Sequence, residues 1–212
     1  MTPAARLAAA IEVLGEIDAK KRPAPDALRE WGQAHRFAGS GDRGAIGSLV
    51  FDALRRRASS AWLMGAETPR AVVLGALKLA RGLSVEEIAK LADGSRFAPA
   101  PLNGDEHARL EKASLEGAPA HVAGDYPEWL DAPLAQSFGD ERAEEGKALA
   151  ARAPLDLRVN TLKSDRDGVA KELSHLGASP ARWSPQGLRI ALSAEGRQPP
   201  VTSEPSLSLI HI

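Results

Sequence analysis

The sequence predicts a mainly α-helical protein that carries a small α+β module toward its carboxyl end. Apolar residues recur at helical spacing through residue 94, whereas from Leu155 they alternate with polar residues at a period of two. The chain has 212 residues, of which 43% are hydrophobic and 26% are charged. This composition is ordinary for a globular protein, and the length suffices for one large domain or two small ones.

Helix-start signals punctuate the amino-terminal part. Thr2-Pro3 and Thr68-Pro69 each place an N-cap before a proline at the first helical position. Ser84–Glu87 is a capping box, in which the Ser hydroxyl and the Glu carboxylate each accept a backbone N–H. A long helix is expected after the turn at Gly39–Asp42. These signals predict an all-α bundle of about five or six helices over residues 1–94.

The remaining elements follow in order. Residues 98–124 are rich in Pro and Gly and are interpreted as a linker with a short acidic helix near 105–116. Two more helices are expected from Asp125 and from Asp140. A strand over Leu155–Thr161 precedes a helix that Gly177 closes.

A hairpin completes the α+β module. Its strands are expected at 181–183 and 188–190, joined by the turn Ser184–Gly187. The order strand, helix, strand, strand is part of the split βαβ layout found in ferredoxin-like and RNA-recognition sheets.

Composition and motifs exclude several classes of chemistry. The chain has no Cys, which excludes disulfides, thiolate zinc sites and a cysteine nucleophile. No two of the five His residues have the spacing of a helical metal site, and nucleophile-elbow, dinucleotide and P-loop motifs are missing. We therefore predict no catalytic, cofactor-binding or metal-binding residue. The chain has no apolar run of about 18 residues and no signal-peptide core, so a cytoplasmic protein without membrane contact is expected.

Charge is unevenly distributed along the sequence. Residues 1–97 hold 15 Lys and Arg against 11 Asp and Glu, whereas residues 98–212 hold 12 against 17. A basic amino-terminal module followed by an acidic one is the prediction. The alternative is a chance fluctuation between solvated faces.

Two groups of residues are candidates for RNA binding. The first is a basic patch, in which Arg55, Arg56 and Arg57 are expected on one helix, with neighbours in sequence at Arg29, Arg36 and Arg43. Such a patch would attract RNA phosphates. The alternative is a solvated or intramolecularly paired face.

The second group comprises Arg158, Asn160 and Lys163, the polar members of the predicted strand and its exit. Arg can stack on bases, Asn can contact base edges and Lys can neutralise phosphate. The alternative is a polar solvent face. Trp183 could stack on a base, but packing against the helix that carries Leu173 is the favoured interpretation.

Three stretches carry a family resemblance: Tyr126–Leu130 (YPEWL), Phe138–Glu141 (FGDE) and Pro154–Lys163 (PLDLRVNTLK). Together they resemble the Sun/Nop family of RNA (cytosine-5) methyltransferases, in the bacterial form that modifies 16S ribosomal RNA. Residues 1–94 are similar to the NusB-like RNA-binding domain of that subfamily.

The resemblance implies a NusB-like domain, a small RNA-recognition-like α+β domain and a Rossmann-like methyltransferase domain. That last domain binds S-adenosylmethionine and uses a cysteine nucleophile, and none of its motifs occurs in this sequence. Only Arg158, Asn160 and Lys163 match the family's RNA-facing module. We therefore expect the monomeric RNA-binding amino-terminal part of such an enzyme, inactive alone and without a cofactor of its own. Its expected partner is 16S ribosomal RNA, not DNA; the alternative is a stand-alone NusB-like module that binds RNA or protein.

The predicted organisation has four parts. Residues 1–97 form the NusB-like domain, 98–124 the linker, and 125–206 the helices with a partial RNA-recognition module. Residues 207–212 (LSLIHI) are what the string CTGTCTCTTATACACATC encodes, which resembles an adapter end from sequencing libraries. A non-native tail on a fragment is therefore expected there, with a terminal strand as the alternative.

Overall fold

Residues 1–191, together with the backbone of Leu207 and Ser208, are described by the structure, which is a computed structural model. Contacts divide the chain into two compact units, Met1–Ala151 and Arg152–Ile212. We call them unit 1 and unit 2.

Ten α-helices build unit 1. They are α1 (Pro3–Lys20), α2 (Ala24–Ala34), α3 (Ser40–Arg55), α4 (Arg57–Met64), α5 (Pro69–Leu79), α6 (Val85–Leu91), α7 (Gly104–Lys112), α8 (Ala120–Ala123), α9 (Asp131–Phe138) and α10 (Arg142–Ala150). Short 3₁₀ turns at Glu128–Leu130 and Gly139–Glu141 flank α9. The predicted mainly helical fold is confirmed.

Local capping explains where several of these helices begin. The Thr2 hydroxyl accepts a hydrogen bond from the Ala5 amide at 3.1 Å, and Ser84 forms the predicted capping box with Glu87. Helices α1, α3 and α5 then pack through fully buried apolar side chains, among them Leu14, Ile46 and Leu74. Burial of each such side chain contributes about 1.5–3 kcal/mol before the entropy of ordering the chain is subtracted.

The single long helix expected after Asp42 is instead two helices. Arg56 has φ −113° and ψ 30°, which ends α3, and α4 starts at the next residue. The physical reason lies far away in sequence. The buried carboxylate of Asp125 accepts the Ser59 amide at 2.9 Å and the Ser59 hydroxyl at 2.6 Å, so it satisfies a first-turn donor of α4.

Residues 98–151 pack within unit 1. Leu110 of α7 is fully buried in the helical core, and Tyr126 is 8% exposed. The helices of 125–150, which were predicted to lie with the α+β module, belong to unit 1 by their contacts. The predicted domain boundaries at residues 97 and 124 stay predictions.

Unit 2 is a sheet covered by a helix. It contains β1 (Leu155–Val159), α11 (Arg166–Glu172) with a 3₁₀ turn to Leu176, β2 (Ser179–Pro180), β3 (Gly187–Ile190) and β4 (Leu207–Ser208). The strand order is β2-β3-β1-β4, and every described pairing is antiparallel. Helix α11 connects β1 to β2 along the chain, and β3 lies between these two strands in the sheet. This is the split βαβ arrangement.

Side-chain alternation places the core of unit 2 on one face of the sheet. Leu157 and Val159 of β1 are buried with Leu188 and Ile190 of β3, and Val169 of α11 completes this core. The predicted tail at 207–212 lies outside the described residues apart from the backbone of 207–208, so its origin stays a prediction.

Candidate nucleic-acid interface

The outer face of the unit 2 sheet presents Arg158. This residue is exposed on β1 between the buried Leu157 and Val159, and its Cα partner on β3 is Gly187. Its Nε donates to Oε1 of Gln186 at 3.4 Å. The strand alternation predicted from sequence therefore puts Arg158 toward solvent, as expected.

The turn that follows β1 holds the other two candidates of this group. The expected strand over 155–161 ends earlier, at Val159, because Asn160 forms a turn. Its Oδ1 accepts the Leu162 amide at 3.1 Å, and its backbone oxygen accepts the Lys163 amide at 2.9 Å. Asn160 consequently shapes the exit of β1 rather than lying on the sheet face with Arg158, and the side chain of Lys163 is exposed.

The loop before β3 presents Trp183 to solvent. The indole is 83% exposed, and the Arg182 guanidinium carbon lies 4.4 Å from its ring centroid. The expectation that Trp183 packs against the helix region of Leu173 is therefore wrong. The predicted strand at 181–183 is also wrong, because β2 is Ser179–Pro180.

The loop between β2 and β3 carries proline near each end and closes on a glycine. Pro180 and Pro185 flank the Arg182-Trp183 pair, and neither can donate a ladder hydrogen bond. The predicted turn is confirmed, since the Gly187 amide donates to the Ser184 carbonyl at 3.1 Å. A Cβ at Gly187 would lie 2.8 Å from Ala181 Cβ, so the tight closure of this loop requires glycine.

The antiparallel register brings these two segments together. The end of β1 faces the start of β3, and the Val159 amide donates to the Gln186 carbonyl at 2.9 Å. Residues far apart in sequence thus share one end of the sheet. We call this end the loop-end surface; it comprises Arg158, Asn160, Lys163, Arg182, Trp183 and Gln186.

Charge within the second half of the chain is itself uneven. Residues 98–151 hold four Lys and Arg against eleven Asp and Glu, whereas residues 152–191 hold seven against four. The acidic character predicted for residues 98–212 therefore does not extend to residues 152–191, which carry a net positive charge. The acidic residues that produced it belong to unit 1.

One ion pair lies on the outer sheet face. Arg189 donates to both carboxylate oxygens of Asp156 at 2.7 Å, and these hydrogen bonds hold the pKa of Asp156 below its ordinary value. Within the described residues, Arg158 and Arg182 have no such carboxylate partner. Their charges remain available to an anionic ligand.

The arginine run in unit 1 is paired within the protein. Arg55 contacts Asp52 at 3.0 Å, and Arg56 contacts Asp125 at 3.5 Å. Arg57 donates two hydrogen bonds to Asp18, at 2.8 and 2.9 Å, which raise the pKa of the arginine. The run lies at the α3–α4 junction and not on one helix, and the structure shows the paired alternative; its role in RNA binding stays a prediction.

The other unit 1 candidates differ in their partners. Arg29 pairs with Asp26 at 2.7 Å, and Arg43 Nε donates to the Ala38 carbonyl at 2.9 Å. Arg36 is exposed beside Phe37, which is 71% exposed, and among the described residues it has no ion-pair partner. Their contact with RNA also stays a prediction.

The YPEWL motif combines a structural anchor with an exposed aromatic residue. The Tyr126 hydroxyl donates to Asp131 at 2.7 Å, and Arg142 donates to the same carboxylate at 3.0 Å. Burial raises the pKa of Tyr126, and the Asp131 hydrogen bond adds to the effect. Trp129, in contrast, is 74% exposed.

The grouping of titratable side chains and one cavity bear on what the described residues could bind. No group of three or more His, Asp or Glu side chains within them could hold a metal ion. A cavity of about 300 Å³ in unit 1 is lined by Trp62, Arg109, Lys112 and Glu116 among others. This lining has no paired carboxylates for acid–base work. Over the same part of the chain, no helix has the length and apolar character of a membrane span.

Strand order and helix placement define unit 2 as a ferredoxin-like α+β unit. Residues 126–195 match the family model "Methyltr_RsmF/B-like, ferredoxin-like domain". The match covers about a third of the chain and supports a relationship of this segment to the Sun/Nop methyltransferases. The match begins one residue after the predicted start of the second module at residue 125, although residues 126–151 pack in unit 1.

One solved structure is similar to this chain over most of its length. The crystal structure of PH0851 is similar at a TM-score of 0.44 and 19% sequence identity, over 90% of this chain. This chain spans 49% of the PH0851 chain. No curated protein matches the sequence.

Proposed function

We propose that this chain is the RNA-binding part of an RNA (cytosine-5) methyltransferase that acts on 16S ribosomal RNA, and that the loop-end surface contacts the RNA. The observation that carries the proposal is the convergence of Arg158 and Arg182 at one exposed end of a sheet in the segment that matches the methyltransferase family model. Because the Sun/Nop methyltransferases act on RNA, RNA is the anionic ligand that we propose for this surface.

Electrostatics supports this assignment. Each phosphate neutralised by a protein cation releases counterions, so binding weakens steeply as salt rises. Arg158 and Arg182 keep their charges outside carboxylate pairs in the described part of the chain, whereas Arg55, Arg56 and Arg57 are each held by one. Arg158 and Arg182 are therefore the stronger candidates, and the exposed Lys163 follows β1 on the same loop-end surface.

The described residues do not fit S-adenosylmethionine. A strand followed by a glycine-rich loop and a helix amino terminus is the usual cradle for such nucleotide-like cofactors. Here the glycine-rich stretch Gly39–Gly44 forms the N-cap and first turn of α3 and follows another helix, and the described residues of unit 1 contain no strand. The purified chain is expected to give no methyl transfer to 16S RNA.

A NusB-like role for unit 1 is part of the proposal. The helical character of residues 1–94 supports this part of the proposal. The alternative function, a stand-alone module that binds RNA or protein, is favoured by the exposed Phe37 beside Arg36, which has no ion-pair partner in the described part of the chain. These two side chains offer an apolar and cationic contact outside unit 2.

Charge reversal tests the proposal. The triple variant Arg158→Glu, Lys163→Glu and Arg182→Glu is expected to weaken binding to a 16S fragment. Its salt dependence should flatten by about 0.7 in log–log slope for each phosphate that the variant no longer neutralises. Fluorescence anisotropy from about 50 to 200 mM salt measures both effects. Lys171→Glu is the matched control, because Lys171 is exposed on α11, which covers the opposite face of the sheet.

Two outcomes would contradict the proposal. Wild-type binding that lacks a salt slope would rule out phosphate contacts. A second triple variant reverses three charges elsewhere in unit 2, through Arg152→Glu, Arg166→Glu and Lys171→Glu. If both triple variants lose the same affinity for RNA, the loss results from the change in net charge, and the loop-end surface is not the specific contact.

A further inference from the structure

We infer that Trp183 stacks on an unpaired base, so that the loop-end surface selects single-stranded RNA over duplex RNA. This inference rests on the proposed RNA-binding function and adds the substrate class. It starts from an exposed indole that no described apolar side chain covers, at 83% exposure.

The position of Trp183 limits what could cover it. Two hydrogen bonds close the loop. The Ala181 amide donates to the Gly187 carbonyl at 2.9 Å, and the Gly187 amide donates to the Ser184 carbonyl at 3.1 Å. Trp183 lies between these closures, at the tip of the loop. The indole therefore projects from a fixed base instead of from a free chain end, which lowers the entropy lost on binding.

Arg182 makes the site suited to a nucleotide. Its guanidinium lies over one face of the indole at 4.4 Å, so the other face remains for a planar ligand. The guanidinium on the opposite face of the ring places a positive charge near the phosphate backbone of a stacked nucleotide. An apolar protein partner would gain nothing from this charge, whereas a nucleic acid would.

The interior of an RNA duplex has no free base face on which this indole could stack. In an A-form helix each base face is covered by its neighbours, and the deep major groove excludes side chains. Loops, bulges and single strands expose base faces, and aromatic stacking on them contributes about 1–3 kcal/mol per base. The preference for single strands thus follows from the ring itself, while Arg158 and Lys163 add attraction for phosphates in either form.

The experiment uses the full chain with two RNA probes of one sequence about 12 nucleotides long, one single-stranded and one annealed as a duplex. Trp183→Ala is expected to lose at least about fivefold affinity for the single strand and to leave duplex affinity unchanged, as the low end of base stacking predicts. Trp183→Phe should restore most of the loss, because it keeps an aromatic face. Trp129→Ala is the matched control, since it removes a Trp that is 74% exposed in unit 1.

A spectroscopic readout accompanies the affinities. Stacking should quench the indole fluorescence of the wild type when the single strand binds, and Trp183→Ala should lose most of that quenching. Salt-dependent binding with equal affinities of the Trp183→Ala and Trp129→Ala variants would overturn the stacking while leaving the proposed function intact. Failure of the wild type to bind either probe would overturn both.

Discussion

Replacement of Asp125 by alanine is expected to destabilise unit 1 by about 4 kcal/mol. The Asp125 side chain is 1% exposed, and its carboxylate joins the start of α4 to a segment 66 residues later. It accepts the Ser59 amide, the Ser59 hydroxyl and the Arg56 guanidinium, at 2.9, 2.6 and 3.5 Å. Alanine would leave all three donors without this acceptor.

The magnitude follows from these contacts. Loss of the capping acceptor of the Ser59 amide costs about 1 kcal/mol, and loss of the charged acceptor of its hydroxyl about 1.5–3 kcal/mol. Asp125 also has φ 56°, where alanine is about 1 kcal/mol less favourable. The sum of about 4 kcal/mol agrees with the roughly 3–5 kcal/mol typical of removing one partner from a buried ion pair.

Asparagine separates the charge from the hydrogen bonds. Asp125→Asn keeps an oxygen acceptor for the Ser59 amide and tolerates the left-handed backbone, so it should lose only about 1–2 kcal/mol. Because α1 to α10 all lie in unit 1, urea unfolding followed by far-ultraviolet circular dichroism reports mainly on this unit. Asp140→Ala is the control, since its carboxylate is fully exposed and 3.9 Å from Arg142.

A small effect would refute this reasoning. If Asp125→Ala lies within about 1 kcal/mol of wild type, the carboxylate does not hold the α3–α4 junction. A loss of stability as large in Asp140→Ala would show instead that the variants share a nonspecific effect of charge. In either case the break at Arg56 would need another cause.

Two further changes test packing and pH in unit 1. Gly146→Ala should cost about 1–3 kcal/mol, because its Cβ would lie 2.5 Å from the Tyr126 ring, whereas Gly104→Ala meets nothing within 4 Å and should be neutral in the same urea assay. The Arg70 hydrogen bond lowers the pKa of Glu106 from 4.5, so the pair contributes stability above that pH, and the contribution is lost as the pH falls through the lowered pKa. Arg70→Gln should therefore lower the free energy of unfolding near neutral pH, by about 1 kcal/mol for a partly exposed pair, and lower it less near pH 3; an equal loss at both pH values would contradict the ion pair.

Features determined by neighbouring residues were predictable from the sequence. The Thr2 cap and the Ser84 capping box each depend on residues within one turn, and both are confirmed. The outward position of Arg158 also follows from the alternation along one strand. The helix break at Arg56 was not predictable in this way, because Asp125, which caps the following helix, is distant in sequence.

The membership of the loop-end surface was likewise only partly predictable from the sequence. Arg158 could be found from its strand, but Arg182 and Gln186 join it only through the register of β1 and β3. Pro180 is itself part of β2, so the prolines near Trp183 did not predict the exposure of its indole.

The two groups of RNA-binding candidates differ in whether their guanidiniums are already paired with carboxylates, which matters more than how many arginines each group contains. The run at Arg55–Arg57 holds three consecutive arginines, yet each of their guanidiniums has a carboxylate partner. Such a pair must be broken before the arginine can neutralise a phosphate, and the carboxylate left behind repels RNA. Arg158 and Arg182 carry no such penalty within the described residues. Fewer charges in unit 2 can therefore contribute more to RNA binding than the larger cluster in unit 1.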